Sequence, residues 1–249
     1  MTSVREILSG FPARSSRGYL GWSSSFLIEN ALGKTVLFDT GGYNERASLP
    51  ELLESNGSSL SAVDAVVLSH FHFDHAANWD LFPTARIYMH ELEMEYIASA
   101  KSREDIAVLR YHVEALKASE RLELIKDEAE IAEGVRVLHA PGHTPGSIMV
   151  VFGEHVFCGD ALKNRWDLSG SGVSPPVWNL EEARRTIARI ATLGRVLHPG
   201  HDAALTRVRE EWKPMKEPQV SICYPDGSRV KLCPCCGTAP SSGGLPDRR

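Results

Sequence analysis

An α/β fold, with helices laid over sheet faces, is what this sequence predicts, and three observations carry the expectation. Short, nearly continuous apolar runs such as VDAVVLS (63–69) and IMVVF (148–152) read as buried strands. Stretches with helical character lie between such runs, at 46–56, 90–100, 103–118 and 180–193. The composition is that of a packed globular chain: 249 residues, 43% hydrophobic and 24% charged, are ample for a sizeable core.

Taken in order, YLGWSSSFLIE (19–29) and KTVLF (34–38) read as two strands joined by a tight Asn30-Ala31-Leu32-Gly33 connection. DTGG follows as a turn, and then the helix over 46–56. VDAVVLS leads directly into the histidine-rich stretch SHFHFDHAANW (69–79). ARIYMH is a further strand, succeeded by helices near 90–100 and 103–118. Short strands are expected at 135–139 (VRVLH), 148–152 and 155–158 (HVFC), then a helix at 180–193 and the strand RVLHPGH. No internal repeat rises above background. From about residue 215 the character changes: QVSICYPDGSRVKLC reads as a hairpin around Pro225-Asp226-Gly227, and SSGGLPDRR as an unstructured tail. The expected division is therefore a main domain over 1–214 and a C-terminal extension over 215–249.

A net charge of −5 argues against nucleic acid or an anionic membrane as the main partner. No stretch approaches the roughly 20 apolar residues of a membrane span, and MTSVREILSGFPARSS has no signal-peptide core. A cytoplasmic protein acting on a small molecule is expected. Of the cysteines Cys158, Cys223, Cys233, Cys235 and Cys236, four sit near the C-terminus. With no export signal they read as thiols or metal ligands. Cys233 and Cys236, in CPCCG, resemble one knuckle of a zinc ribbon and are a candidate structural zinc site.

The chemistry concentrates at strand ends. His70, His72, Asp74 and His75 fall within six positions, and imidazole and carboxylate groups hold zinc and its first-row neighbours. Alternating positions of an extended segment project to one side, so His70, His72 and Asp74 are expected to converge. Four such groups exceed the three protein ligands of a mononuclear catalytic site and imply two metals. Further ligands are then needed downstream. APGHTPGS presents His143, FCGDAL presents Asp160 and HPGHD presents His201, each directly after a glycine that lets the backbone approach closely.

HFHFDH, GHTPGS, GDA and PGHD, in this order, resemble the signature of the metallo-β-lactamase superfamily, and LFDTGG resembles its DTG turn. The resemblance spans roughly residues 4–212, and the layout is most similar to the N-acyl homoserine lactonase and glyoxalase II branch. It implies a four-layer αβ/βα sandwich with two divalent ions at one edge. Zinc is the ion expected, though manganese, iron and cobalt suit the same donors. By the same resemblance His70, His72 and His143 would bind the first ion, Asp74, His75 and His201 the second, and Asp160 both. A metal-bridging hydroxide would open a small lactone or ester. Asp160 as bridge and Asp74 as proton relay to the leaving group are the catalytic candidates, and Asp39 would orient a ligand histidine.

The chain departs from the lactonase pattern three residues after Asp160, where those enzymes carry a substrate-contacting tyrosine and this chain has Lys163. Lys163, Trp22 and Phe73 are the candidate substrate contacts, and Arg165 and Trp166 stand close enough in sequence to be considered with them. Other classes remain open. GDAL (159–162) is similar to a stretch of the iron-dependent persulfide dioxygenases, a phosphodiesterase of the same fold is an alternative, and so is metal binding without catalysis. Oxygen-reducing relatives carry glutamate where His72 stands, which argues against that branch. The C-terminal hairpin is a candidate contact of a homodimer.

Overall fold

The computed structural model describes residues 2–169 and 172–234. Along the first half, β1 (Ser3–Leu8) is followed by a small hairpin, β2 (Arg14–Ser15) and β3 (Gly18–Tyr19), and then by β4 (Ser25–Glu29) and β5 (Thr35–Phe38). Helix α1 (Leu49–Ser55), strand β6 (Ala65–Val67) and the single turn α2 (Phe73–Ala76) come next. β7 (Arg86–His90), α3 (Glu91–Ala98), α4 (Arg110–Lys117) and β8 (Leu122–Ile125) complete this half. The second half runs through β9 (Ala129–Ala132), β10 (Val135–His139), β11 (Ile148–Phe152) and β12 (His155–Gly159). Helix α5 (Leu180–Leu193), β13 (Val196–Pro199), β14 (Leu205–Val208) and β15 (Glu211–Pro214) follow. The hairpin β16 (Val220–Cys223) and β17 (Arg229–Leu232) stands apart as a two-stranded sheet.

The first sheet has the order β1-β4-β5-β6-β7-β8 and the second β15-β14-β13-β12-β11-β10-β9. Pairing is parallel from β5 through β8 and between β12 and β13, and antiparallel elsewhere in the two sheets.

Side chains alternate across a strand, so a strand buried on both faces feeds two cores. Phe26, Ile28, Val36, Phe38, Ala65 and Val67 face the second sheet, where they meet Val137, Ile148, Val150 and Phe157. Their neighbours Leu27, Leu37, Val66 and Leu68 face outward and pack under α1, α3 and α4 through Leu49, Leu53, Ile97 and Leu116. On the other side Leu138, Met149, Val156 and Leu197 pack against Ile187 and Ile190 of α5. Three cores between four layers give the αβ/βα sandwich that the sequence resemblance implied.

Two elements differ from expectation. The long strand over 19–29 is broken, and only its end forms β4. Gly21 has φ +65, and the hydroxyls of Ser23 and Ser24 donate to the carbonyls of Asp74 and Pro199, so this segment bonds to loops rather than to a ladder. The helix expected over 103–118 begins only at Arg110. Asp105 Oδ1 accepts the Ala107 amide in a turn over 105–108, and the chain then bonds the histidine-rich loop, with Val108 bridging His72. At the C-terminal side, Glu217 accepts from Arg165 Nη1 at 2.8 Å and ties the extension to the sandwich. Of the expected zinc knuckle only Cys233 lies within the described residues, and its expected partner Cys236 lies outside them.

Candidate metal centre

Both sheets deliver ligand-type side chains to one edge. β6 ends just before His70 and His72, the chain bends at Ser69 and His70, and His72 is extended, with φ −88 and ψ 155. It then turns into α2, which carries Asp74 and His75. The break in conformation splits the stretch: instead of His70, His72 and Asp74 converging, His70 and His72 face His143, and Asp74 and His75 face His201. His143 comes from the loop after β10, Asp160 follows β12 and His201 follows β13. All seven are buried except His201, which is partly so.

Three overlapping groups result, each with its ligand atoms within 4.8 Å of one another: His70, His72 and His143; His70, His75 and Asp160; and Asp74, His75 and His201. Asp160 lies between the outer two. Its Oδ2 is 3.3 Å from His143 Nε2, and its Oδ1 is 3.2 Å from both His75 Nε2 and His201 Nε2. His143 Nε2 is 3.1 Å from His72 Nδ1, and His201 Nε2 is 3.4 Å from Asp74 Oδ2. Each carboxylate oxygen of Asp160 therefore addresses a different group.

The outward nitrogen of every one of these imidazoles has a partner that fixes its proton. His75 Nδ1 donates to Asp39 Oδ2 at 2.7 Å, and His72 Nε2 to Asp105 Oδ2 at 2.9 Å. His143 Nδ1 donates to the Pro176 carbonyl at 2.9 Å and His201 Nδ1 to the Trp22 carbonyl at 3.0 Å. The Ser69 hydroxyl donates to Asp39 Oδ2, so its oxygen accepts from His70 Nδ1 at 2.9 Å. The inward nitrogens are left unprotonated as ligands require. His70 Nε2 is fully buried and has no hydrogen-bond partner, which fits a metal-facing atom and nothing else in reach.

Electrostatics agree with this fit. Burial, with the neighbouring imidazoles His75 and His72, holds His70 well below the usual imidazole range, and burial with the Lys163 ammonium does so for His143. Burial also opposes the charge on His75 and His201, yet Asp160 and Asp74 outweigh it and raise both. Asp160 is likewise disfavoured as an anion by burial, but His201, Lys163 and His75 pull its carboxyl well below the usual range. The carboxylates of Asp160 and Asp74 thus favour positive charge around them, while His70 and His143 stay neutral, and both conditions suit a bound cation.

Glycines permit the approach. A Cβ on Gly142 would sit 2.4 Å from Ala183 Cα at a φ of +136, and one on Gly200 would sit 2.4 Å from Asp160 Oδ1. Asp39, buried and at φ +58, is held in the left-handed region while its Oδ1 accepts the Ser69 amide at 2.7 Å.

A cavity of about 640 Å³ opens over the centre. Phe73 lines it, as do Phe11, Tyr19, Ile106 and Trp178, and Lys163 and Asp74 reach it from the metal side. Lys163 is buried, with Nζ 2.9 Å from the Pro175 carbonyl and 3.5 Å from Asp160 Oδ2. Trp22 is placed otherwise than expected. Its ring packs on Phe11 rather than facing the cavity, and what it gives the centre is its carbonyl. Arg165 turns away from the cavity to pair with Asp202 and Glu217. His198 stacks on Phe157, lies tilted against Phe26 and bonds His155.

Sequence reasoning missed Asp105 and the carbonyls of Trp22 and Pro176. Asp105 sits in the charged run SREDIAVLR, which reads as solvated surface, and a carbonyl carries no residue-type signal.

A two-sheet sandwich with seven histidine and aspartate side chains able to hold metal at its edge defines the class, an αβ/βα protein with a metal-binding cluster. Residues 19–227 match the metallo-beta-lactamase superfamily, and the chain belongs to it. A Methanocaldococcus jannaschii protein named as a probable metallo-hydrolase is 28% identical over 192 residues, which is 74% of this chain and 89% of that one. An N-acyl homoserine lactonase of a Bacillus species is 30% identical over 127 residues. There the chain spans about half the relative, 47% of each being covered. Among solved structures, a Bacillus thuringiensis protein with N-decanoyl-L-homoserine at its active site superposes with a TM-score of 0.61 at 18% identity, covering 76% of this chain and 86% of that one. A dizinc quorum-quenching lactonase in complex with a product gives 0.62 at 20% identity, covering 78% and 79%. At such identities the structures share the fold.

Proposed function

We propose that this chain is a dinuclear metal-dependent hydrolase that opens a small lactone or ester. The observation that carries the reading is Asp160, whose two oxygens face separate ligand groups at 3.2–3.3 Å. His70, His72 and His143 would hold one ion, Asp74, His75 and His201 the other. Zinc suits the donors, and a dizinc lactonase shares the fold. Two such ions supply a hydroxide nucleophile at neutral pH and polarise a carbonyl oxygen.

The chain's own residues do the rest. Asp39, Asp105, Ser69 and two carbonyls keep the ligand protons turned outward. Asp74 lines the cavity, and its Oδ2 is placed to take a proton and return it to a leaving oxygen. Lys163 brings a cationic donor to the cavity wall beside Asp160, where lactonases carry tyrosine. Phe73, Phe11, Tyr19 and Trp178 offer apolar surface to an acyl or alkyl group. We assign the activity to a small-molecule substrate in the cytoplasm without a nucleic-acid or membrane partner. Residues 1–214 would be the hydrolase domain and 215–249 an extension whose hairpin contacts a second copy.

Elemental analysis of the purified protein, run beside a screen of lactones, esters, thioesters, phosphodiesters and glutathione persulfide, tests this. Two zinc-like ions per chain with lactone or ester turnover are expected. One iron with oxygen consumption on the persulfide would replace the hydrolase by a dioxygenase.

A further inference from the structure

Glu93 is fully buried in α3, a helix whose inward face otherwise carries Met94 and Ile97. An apolar side chain would fill that position without the cost of burying a carboxyl group. Its two oxygens are both used, and by different loops. Oε1 accepts the amide of Phe71, the residue between His70 and His72, at 2.9 Å. Oε2 accepts the hydroxyl of Thr144, the residue after His143, at 2.6 Å. Thr144 is fixed in turn by Ser147, whose Oγ accepts the Thr144 amide at 3.1 Å. The backbones meet closely here, since a Cβ on Gly146 would lie 2.0 Å from Glu93 N.

The two loops belong to different sheets. His70 and His72 follow β6 of the first, and His143 follows β10 of the second. The remaining ligands are held by other groups. The Thr40 amide and hydroxyl donate to the His75 carbonyl, the Ser23 hydroxyl to the Asp74 carbonyl, and the Trp22 carbonyl takes His201. We propose that Glu93 is a positioning residue for the first metal group, fixing His70 and His72 against His143 across the two sheets while leaving the second group to its own supports. The inference rests on the dinuclear reading above.

Cobalt(II) titration of the chelator-stripped chain, followed by visible absorption, tests it. Wild type, Glu93→Gln, Glu93→Ala and Thr144→Val are compared, with the melting temperature of each metal-free protein recorded. Glu93→Ala should weaken one of two bound ions by about 10–100-fold and leave the other unchanged. Glu93→Gln, which keeps the shape and one acceptor, should weaken the same ion less. Equal weakening of both ions in step with melting temperature would reduce Glu93 to a structural residue, and no change in either would overturn the role. Should Glu93→Ala not fold, Glu93→Gln and Thr144→Val carry the comparison. The same substitutions are made in a His201→Ala background, which keeps the first group intact. If the wild type takes up a single ion, the dinuclear reading falls by itself. In that background weaker cobalt binding on changing Glu93 still sustains the positioning role, and unchanged binding overturns it.

Discussion

Asp39 Oδ2 lies 2.7 Å from His75 Nδ1, and the same oxygen accepts the Ser69 hydroxyl that in turn faces His70. One buried carboxylate thereby fixes the proton on an imidazole in each metal group.

Asp39→Asn should weaken both ions together, by about 10–100-fold each, because the amide nitrogen must face at least one N–H or O–H that the carboxylate accepts. Metal titration of the stripped variant reads this. Loss confined to a single ion would mean that the Ser69 link to His70 carries nothing.

Lys163→Tyr should shift the ratio of kcat/KM toward acyl-homoserine lactones over simple esters by about tenfold, the scale of one pocket contact. Paired kinetics on the two substrate types measure it. An unchanged ratio would move substrate choice to the apolar wall of Phe73 and Trp178.

Gly142→Ala places a methyl against the backbone of Ala183 in a region of φ that side chains rarely adopt. A loss of about 1–3 kcal/mol is expected from strain alone, with the first ion weakened because His143 is the next residue. Urea unfolding of the metal-free protein gives the first quantity and cobalt binding the second.

His198 is pushed down to about 3 by burial and by the neighbouring His155. The folded state then prefers the neutral ring, while the unfolded chain takes up a proton below pH 6.5. This contribution to stability is present in full above pH 6.5 and is lost as pH falls toward 3, at up to about 1.4 kcal/mol per pH unit. Replacing His198 by Phe, between the rings of Phe26 and Phe157, should flatten that acid slope. Denaturant unfolding at pH 7 and pH 5 distinguishes a flattened slope from an unaltered one.

The seven side chains that converge at the sheet edge were legible in the sequence because metal-binding chemistry restricts residue type, and the glycines before His143, Asp160 and His201 marked close backbone approach. Their grouping followed from the family resemblance but not from strand geometry. Extended geometry put Asp74 with His70 and His72, whereas the turn into α2 at Phe73 sends it to His201. What holds the ligands was largely hidden. Asp39 was visible through its DTGG turn, but Asp105 looked like one charge among several, and Trp22 and Pro176 act through atoms that every residue has. Glu93 left one trace, a carboxylate four residues before Ile97 on the inward face of α3. The buried strands VRVLH, IMVVF and HVFC were read almost to their ends, since apolar runs flanked by turns leave few alternatives. The edge strands β1, β8, β9 and β15, and β14 beside the last of them, escaped, being only partly buried and therefore mixed in character.

Each ligand group takes members from both sheets: His70 and His72 meet His143, and Asp74 and His75 meet His201. The spacing within each group is thus the spacing between two layers, and that is set by Phe26, Phe38 and Phe157, which fill the gap. Packing and coordination share a single degree of freedom. A smaller side chain at Phe157 would let the layers settle closer and would shift both side-chain groups at once without touching either, so the geometry of this edge is partly a property of the interior.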